Sequence, residues 1–310
     1  MAVMNRIGLG SAAFGMDYGV TNENGRVTPS VAGELFSLAS NKGIRIIDTA
    51  AAYGESEAVI GERLPKDADF KIVTKIPPSL SRGEPSESID QAFRQSLQRL
   101  QADTTYGLLV HHAADLIGPQ GNEIYQALAG LKDEGLADKI GFSAYTVDEA
   151  EAVLSRFSVD IVQLPLNILD QRFLTSGMLR AMKRQGIEIH ARSLFLQGIL
   201  LTHPRALPAY FHPMQDHLAM LHRDLEIANL TPLEGCLLFG IQNPDVDVMI
   251  LGVTCRDQLI DLCTAAAHTN GLSFDFDAYA LEDENFLHPS RWPADAGRRQ
   301  SESEAQNAVR

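Results

Sequence analysis

Four residues in the first half of the chain have the types and placement to move a proton: Asp48, Tyr53, Lys75 and His111. Asp48 and Tyr53 lie within Asp48-Thr-Ala-Ala-Ala-Tyr53-Gly54, Lys75 closes Thr74-Lys75, and His111 follows Leu108-Leu-Val. A lysine ammonium taken out of water needs a counter-charge, which Asp48 can supply. A tyrosine beside that ammonium is expected to fall below the ordinary phenol pKa of about 10 and to act as an acid near neutral pH. His111 can then orient a carbonyl oxygen and stabilise charge growing on it while Tyr53 gives up its proton. Any one of these residues alone reads as a cap, a packing group or a surface contact. All four at the ends of three successive predicted strands are harder to explain structurally, because a structural rim has no need to desolvate a lysine. A strand-end lysine also suits Schiff-base chemistry, so a barrel lyase or aldolase acting through Lys75 stands as the rival.

The elements that must carry these residues alternate. Strand-like runs fall at Ile7 to Gly10, Ile44 to Thr49, Lys71 to Ile76, Tyr106 to His111, Ile140 to Ser143, Asp160 to Leu164, Ile187 to Ser193 and Val246 to Gly252. Amphipathic helical segments separate them: Val31 to Ser40, Glu57 to Leu64, Ser86 to Leu100, Glu123 to Glu134, Val147 to Arg156, Ser176 to Arg184, Pro232 to Gly240 and Asp257 to Ala266. Several strands are apolar throughout, as parallel strands covered on both faces are. Gly43 and Gly186 mark helix stops, while Ser86-Glu-Ser-Ile and Thr146-Val-Asp-Glu mark acidic helix starts. Eight βα units predict a single α/β domain, a (β/α)8 TIM barrel over residues 1–292, with function at the C-terminal strand ends. The long stretch Leu196 to Leu218 and an extra helix near Leu218 to Ala228 are expected to cover the mouth. A polar tail, 293–310, is expected to be disordered.

With a formal charge of −14 and no dense Lys/Arg run, nucleic-acid binding is disfavoured. Cys236, Cys255 and Cys263 contain no CxxC pair and read as reduced thiols. No start resembling a signal peptide and no apolar run of about 18 residues is present, so a cytoplasmic protein with no membrane partner is expected. Two tempting signals are set aside. The glycines of Gly8-Leu-Gly10-Ser-Ala-Ala-Phe-Gly15 have the third glycine misplaced for a dinucleotide loop, and are read as permitting close approach at the barrel mouth. His212, His217 and His222, spaced by five, do not share a helical face, so no metal is expected.

On these motifs the chain resembles the aldo-keto reductases over nearly its whole length. Asp48-Thr-Ala-Ala-Ala-Tyr53-Gly54, Thr74-Lys75, Leu108-Leu-Val-His111 and Ile140-Gly-Phe-Ser143 are similar to the family's successive strand-end elements. The resemblance implies a nicotinamide-dependent reductase of a small carbonyl or alcohol, with Asp48, Tyr53, Lys75 and His111 as the catalytic tetrad. It implies that Ser143 and Gln163 hold the carboxamide, and that Ser193, Leu194 and Gln197 follow the pyrophosphate. Gly252, Val253, Thr254 and Gln258 would approach the adenosine phosphate region. Ala144 stands where an asparagine is usual, and Arg192 where a tyrosine commonly stacks on the nicotinamide; a planar guanidinium can stack instead. Arg256 is the nearest basic residue for a 2′-phosphate, which makes NADPH the first expectation and NADH the alternative. The N-terminal hairpin common in the family is reduced or absent. Pocket residues expected from position are Met16, Tyr18, Phe195 and Tyr210. Gln163 to Phe173, Ile189 to Gly198 and Asn285 to Trp292 resemble bacterial members that often accompany polysaccharide or sugar biosynthesis, which implies a sugar-like substrate by association. A regulatory cofactor-binding barrel with slow turnover is a further alternative; the oligomeric state carries no sequence signature.

Overall fold

The computed structural model describes residues 3–77, 85–293 and 295–297. Its strands are β1 (Ile7–Gly10), β2 (Ile46–Asp48), β3 (Lys71–Ile76), β4 (Thr105–Val110), β5 (Ala137–Ser143), β6 (Ile161–Pro165), β7 (Glu188–Arg192) and β8 (Val248–Gly252). All neighbours pair in parallel, and β1 closes on β8 through Ile7↔Met249 to Gly10↔Gly252. The helices between them are α1 (Pro29–Lys42), α2 (Ser56–Arg63), α3 (Pro85–Leu100), α4 (Gly121–Asp133), α5 (Val147–Leu154), α6 (Met178–Arg184), α7 (Pro232–Ile241) and α8 (Arg256–His268). The chain is thus a closed (β/α)8 barrel, as its alternation predicts. Local chemistry sets the helix ends. Gly43 ends α1 in the left-handed region, and reciprocal capping boxes start α5 (Thr146, Glu149) and α7 (Thr231, Glu234).

Side chains alternate across each strand, so every second residue enters the lumen. The lumen is filled by a small apolar layer of Ile46, Val73, Leu109, Ile161, Val248 and Ile250. A much larger apolar shell packs between strands and helices. One inward step beyond the lumen layer, towards the C-terminal ends, come Asp48, Lys75, His111 and Gln163. Register therefore carries the polar rim: each of these residues lies two positions after a buried aliphatic one.

Below that layer lies a polar floor. Glu188 accepts from the Tyr106 hydroxyl at 2.7 Å, pairs with His190 Nε2 at 2.7 Å and forms an ion pair with Lys139. Among the described residues a single 3-10 turn, Met4–Arg6, precedes β1 in place of a hairpin. The Arg6 guanidinium reaches the C-terminal end of α7 and donates to the carbonyls of Gly240, Ile241, Asn243 and Val246 at 2.7–3.2 Å. It thereby satisfies carbonyls that the helix leaves open.

The stretch after β7 is not loose coil: 3-10 turns Leu196–Leu201, Pro204–Ala206 and Ala209–Met214 lead into an added helix, Gln215–Ile227. No described helix is long and apolar enough to cross a membrane. The expected tail lies largely outside the described residues; within it Ala296 is buried.

Candidate active site

The rim begins with an ion pair. Lys75 Nζ lies 2.7 Å from both Asp48 carboxylate oxygens and 2.9 Å from the Thr49 carbonyl, with the lysine only 1% exposed. Gln163 Nε2 donates to Asp48 Oδ1 at 2.7 Å, linking β6 to β2 across the lumen. These bonds offset the cost of burying two charges. Burial still pulls Lys75 below the usual lysine pKa, against the opposing pull of the Asp48 carboxylate.

Tyr53 stands on the turn after β2. Its N–H donates to Ala50 O at 3.0 Å, and Gly54 follows at φ 55°. The short helix Ala12–Gly15 after β1 presses on this turn: a Cβ at Gly15 would overlap the carbonyl oxygen of Tyr53. Only glycine permits that approach, which is the role expected of the β1 glycines. Lys75 Nζ lies 5.3 Å from the Tyr53 ring centroid, and the His111 ring meets Tyr53 edge-on at 5.7 Å. His111 Nδ1 is buried without a hydrogen-bond partner.

The acidity of Tyr53 departs from expectation. Burial, reinforced by the Asp48 charge, pushes its pKa above the usual phenol value, outweighing the lowering pull of Arg192. Residue types alone showed the lysine beside Tyr53; they did not show that Asp48 already engages that ammonium through two bonds. Tyr53 is thus held protonated. His111 is held neutral, because burial first and then the charge of Lys75 push its pKa down to about 3.

From this cluster a cavity of about 330 Å³ crosses the ends of β7, β8 and β1 and reaches the first turns of α7 and α8. Its lining includes Asp48, Tyr53, Gln163, Arg192, Ser193, Leu194, Gln197, Gly252, Val253, Thr254 and Gln258, together with the pocket residues Tyr18 and Phe195. Tyr18 exposes 45% of its surface, yet its hydroxyl end is enclosed, and this burial pushes its pKa up to about 12. Besides Lys75 and His111, four expected residues do not line the cavity. Ser143 is buried beside Gln163 in the β5–β6 ladder. Arg256 is exposed at the start of α8, and Met16 is exposed on its loop. Tyr210 sits in an aromatic cluster with Phe211 and Phe286 and donates its hydroxyl to Asn285 O at 2.9 Å. That bond fastens the added loop instead of facing the pocket. His212, His217 and His222 each direct Nε2 to a backbone carbonyl, those of Leu207, Tyr279 and Leu200, which accounts for them structurally.

Asn167 and Tyr145 contribute without a clear signal in the sequence. Asn167 Nδ2 donates to Ser193 O at 3.1 Å, and its Oδ1 accepts from the N–H groups of Leu169 and Asp170. It braces a loop in which Ser193, Leu196 and Gln197 all adopt positive φ, a costly conformation that tends to gather at functional sites. Arg192 stacks over Tyr145 at 4.1 Å and donates to Ala144 O at 3.2 Å. Tyr145 also stacks with His288, at 4.1 Å, and with His112, at 6.3 Å. His112 is therefore part of the wall beside His111. Leu233, Asp261 and Leu262 also line the far end, and helical spacing from Gln258 is the signal that finds the last two.

The fold and rim define a class: a parallel (β/α)8 barrel whose buried Asp48–Lys75–Gln163 cluster heads a long cleft at the C-terminal strand ends. More narrowly, the chain belongs to the aldo/keto reductase family, whose family model matches residues 6–272. It is 31% identical over 189 residues to an aldo-keto reductase of Mycolicibacterium vanbaalenii, spanning 58% of this chain and 64% of that one. It is 30% identical over 145 residues to the 6-dehydroglucose reductase of Novosphingobium aromaticivorans, 42% of this chain and 47% of that one. The matches thus span about half to two thirds of those relatives. The holo form of an aldo-keto reductase from Bacillus halodurans shares the fold, with a TM-score of 0.70 at 20% identity over 91% of this chain and 95% of that one.

Proposed function

We propose that the protein interconverts a carbonyl and an alcohol on a small polar substrate with a nicotinamide dinucleotide, Tyr53 handling the proton. The observation that carries this is the convergence of Tyr53, His111 and the Asp48–Lys75–Gln163 cluster at the head of one cleft. The cleft suits a dinucleotide. It offers an amide at Gln163, a backbone turn at Ser193 to Gly198 and polar side chains at Thr254 and Gln258, in one continuous lining. When bound, the nicotinamide supplies the hydride that goes to the carbonyl carbon.

The chain's part is positioning and charge. Tyr53 gives its proton to the substrate oxygen as that oxygen gains negative charge. The tyrosinate left behind is stabilised by the Lys75 ammonium 5.3 Å from its ring. Asp48 holds that ammonium in place. Neutral His111, whose ring meets Tyr53 edge-on, orients the same substrate oxygen. Lys75 has little scope as a Schiff-base nucleophile: its three N–H directions are taken by Asp48 and Thr49, and the amine lone pair is not free. A polar, sugar-like substrate fits the phenols of Tyr18 and Tyr53 and the Arg192 guanidinium around the head, and one relative bears the name of a sugar reductase. We place the protein in the cytoplasm, acting on free small molecules.

The test is a panel of polar aldehydes and ketones with NADH and NADPH, run beside Tyr53→Phe. Turnover by the variant should fall at least about a hundredfold while dinucleotide affinity stays within about twofold. Undiminished turnover would remove Tyr53 as the acid.

A further inference from the structure

We propose that the substrate carries a carboxylate besides its carbonyl, and that the Arg192 guanidinium receives it. This deepens the carbonyl–alcohol reading of the same cleft and rests on it. The carbonyl must reach Tyr53, so the rest of a small substrate lies against the head of the cleft. There Arg192 and Tyr18 join Tyr53 in the lining.

The head is short of negative charge. Its carboxylate, Asp48, is already spent on two bonds to Lys75 and one to Gln163. Asp48 and Lys75 cancel, which leaves the half-buried Arg192 without a counter-charge. Among the described residues Arg192 makes no ion pair. Its one hydrogen bond runs from Nη2 to Ala144 O at 3.2 Å, and its face lies on Tyr145 at 4.1 Å. Its charge works against the protonated forms of Lys75, His111 and His288 around it. A cation drawn out of bulk water with no partner is costly, and the rest of its fork of N–H donors is open to an anion.

The hydroxyls at the head point to the same class of ligand. Those of Tyr18, Tyr53 and Tyr145 make no hydrogen bond within the described residues. Burial holds Tyr18 and Tyr53 protonated, so both are donors. Phenols and a guanidinium with no free carboxylate among them suit a ligand rich in acceptor oxygens. A phosphate would bring about one and a half to two negative charges, more than the head leaves uncompensated. A carboxylate brings one, and its two oxygens match the planar fork. Tyr145, stacked on the guanidinium, fixes the plane of that fork. The carboxylate is a spectator in the reaction: the carbonyl carbon still gains the hydride and its oxygen the proton of Tyr53.

Acids paired with their own amides test this, because each pair shares one carbonyl and differs in charge. The full chain, saturated with NADH or NADPH, is assayed on glyoxylate, succinic semialdehyde and glucuronate, each beside its amide. For at least one pair, wild-type kcat/KM should favour the acid by at least about tenfold. Arg192→Gln should bring that ratio to within about twofold, mainly through the KM of the acid. Arg192→Lys, which keeps the charge but loses the fork, should fall between. No acid exceeding its amide by that factor in wild type, a result that needs no variant, would overturn the inference and leave the reductase reading standing. So would a ratio that survives Arg192→Gln while calorimetry shows dinucleotide affinity falling, since Arg192 would then serve the dinucleotide. Turnover of no carbonyl with either dinucleotide would overturn both readings.

Discussion

Asp48 holds two donors at once, the Lys75 ammonium and the Gln163 amide, all three residues being buried. Converting Asp48 to Asn keeps the shape but strands a lysine in a low-dielectric lumen. We expect Asp48→Asn to cost about 3–5 kcal/mol of unfolding free energy, measured by urea denaturation. Adding Lys75→Met should recover much of that loss while turnover stays abolished, because the stranded charge is gone. An Asp48→Asn protein as stable as wild type would mean that the pair carries no such burden. At this scale the sequence was informative about residue identity and weak about environment. Strand-end position picked out Asp48, Tyr53, Lys75 and His111, and the family resemblance added Gln163. The acidity of Tyr53 was misjudged because a pKa depends on burial and on which bonds a neighbouring ammonium already makes, and neither follows from spacing.

The elements bring these residues together through a few close contacts, one of them between the Ala12–Gly15 turn and the Tyr53–Ser56 turn. Gly15→Ala would drive a methyl into backbone atoms of Tyr53, Glu55 and Ser56, and these cannot rotate away as a side chain could. The expected result is a loss of about 1–3 kcal/mol in stability. Turnover should fall by a larger factor than dinucleotide affinity, since the displaced group is Tyr53 and not the far end of the cleft; comparing kcat with calorimetric affinity checks this. Equal kcat in the variant would show that the turn tolerates the shift. The strand and helix alternation was legible because parallel strands are apolar throughout and helix stops carry glycine. The mouth was less so. Tyr210 was expected in the pocket because its loop follows β7, but the loop folds into 3-10 turns whose aromatic residues pack on one another. Helical periodicity also separates Asp261 from Arg256, once the start of α8 is known.

Across the whole molecule, the barrel has two buried polar layers separated by one of aliphatic side chains, and the two layers predict how stability depends on pH. At the floor, burial pushes the Glu188 pKa up, but hydrogen bonds from His190, Lys139 and Tyr106 outweigh it and hold the carboxyl at about 2. Its folded pKa is therefore below its unfolded value of 4.5. The resulting stability, on the order of 3 kcal/mol, is present above about pH 4.5 and is lost as the pH falls towards 2. At the rim, His111 is depressed from 6.5 to about 3. Between those values the unfolded chain takes up a proton that the folded one refuses, so stability again declines as the pH falls. Both groups give the same sign, and thermal melts should show Tm rising with pH from 3 to 7. The two contributions separate by variant. Glu188→Gln should flatten the slope below pH 4.5 and leave the slope between pH 5 and 6.5, whereas His111→Gln should flatten the latter. A melting temperature that holds level from pH 7 down to 3 in the wild-type protein would mean that neither layer is buried and bonded as described.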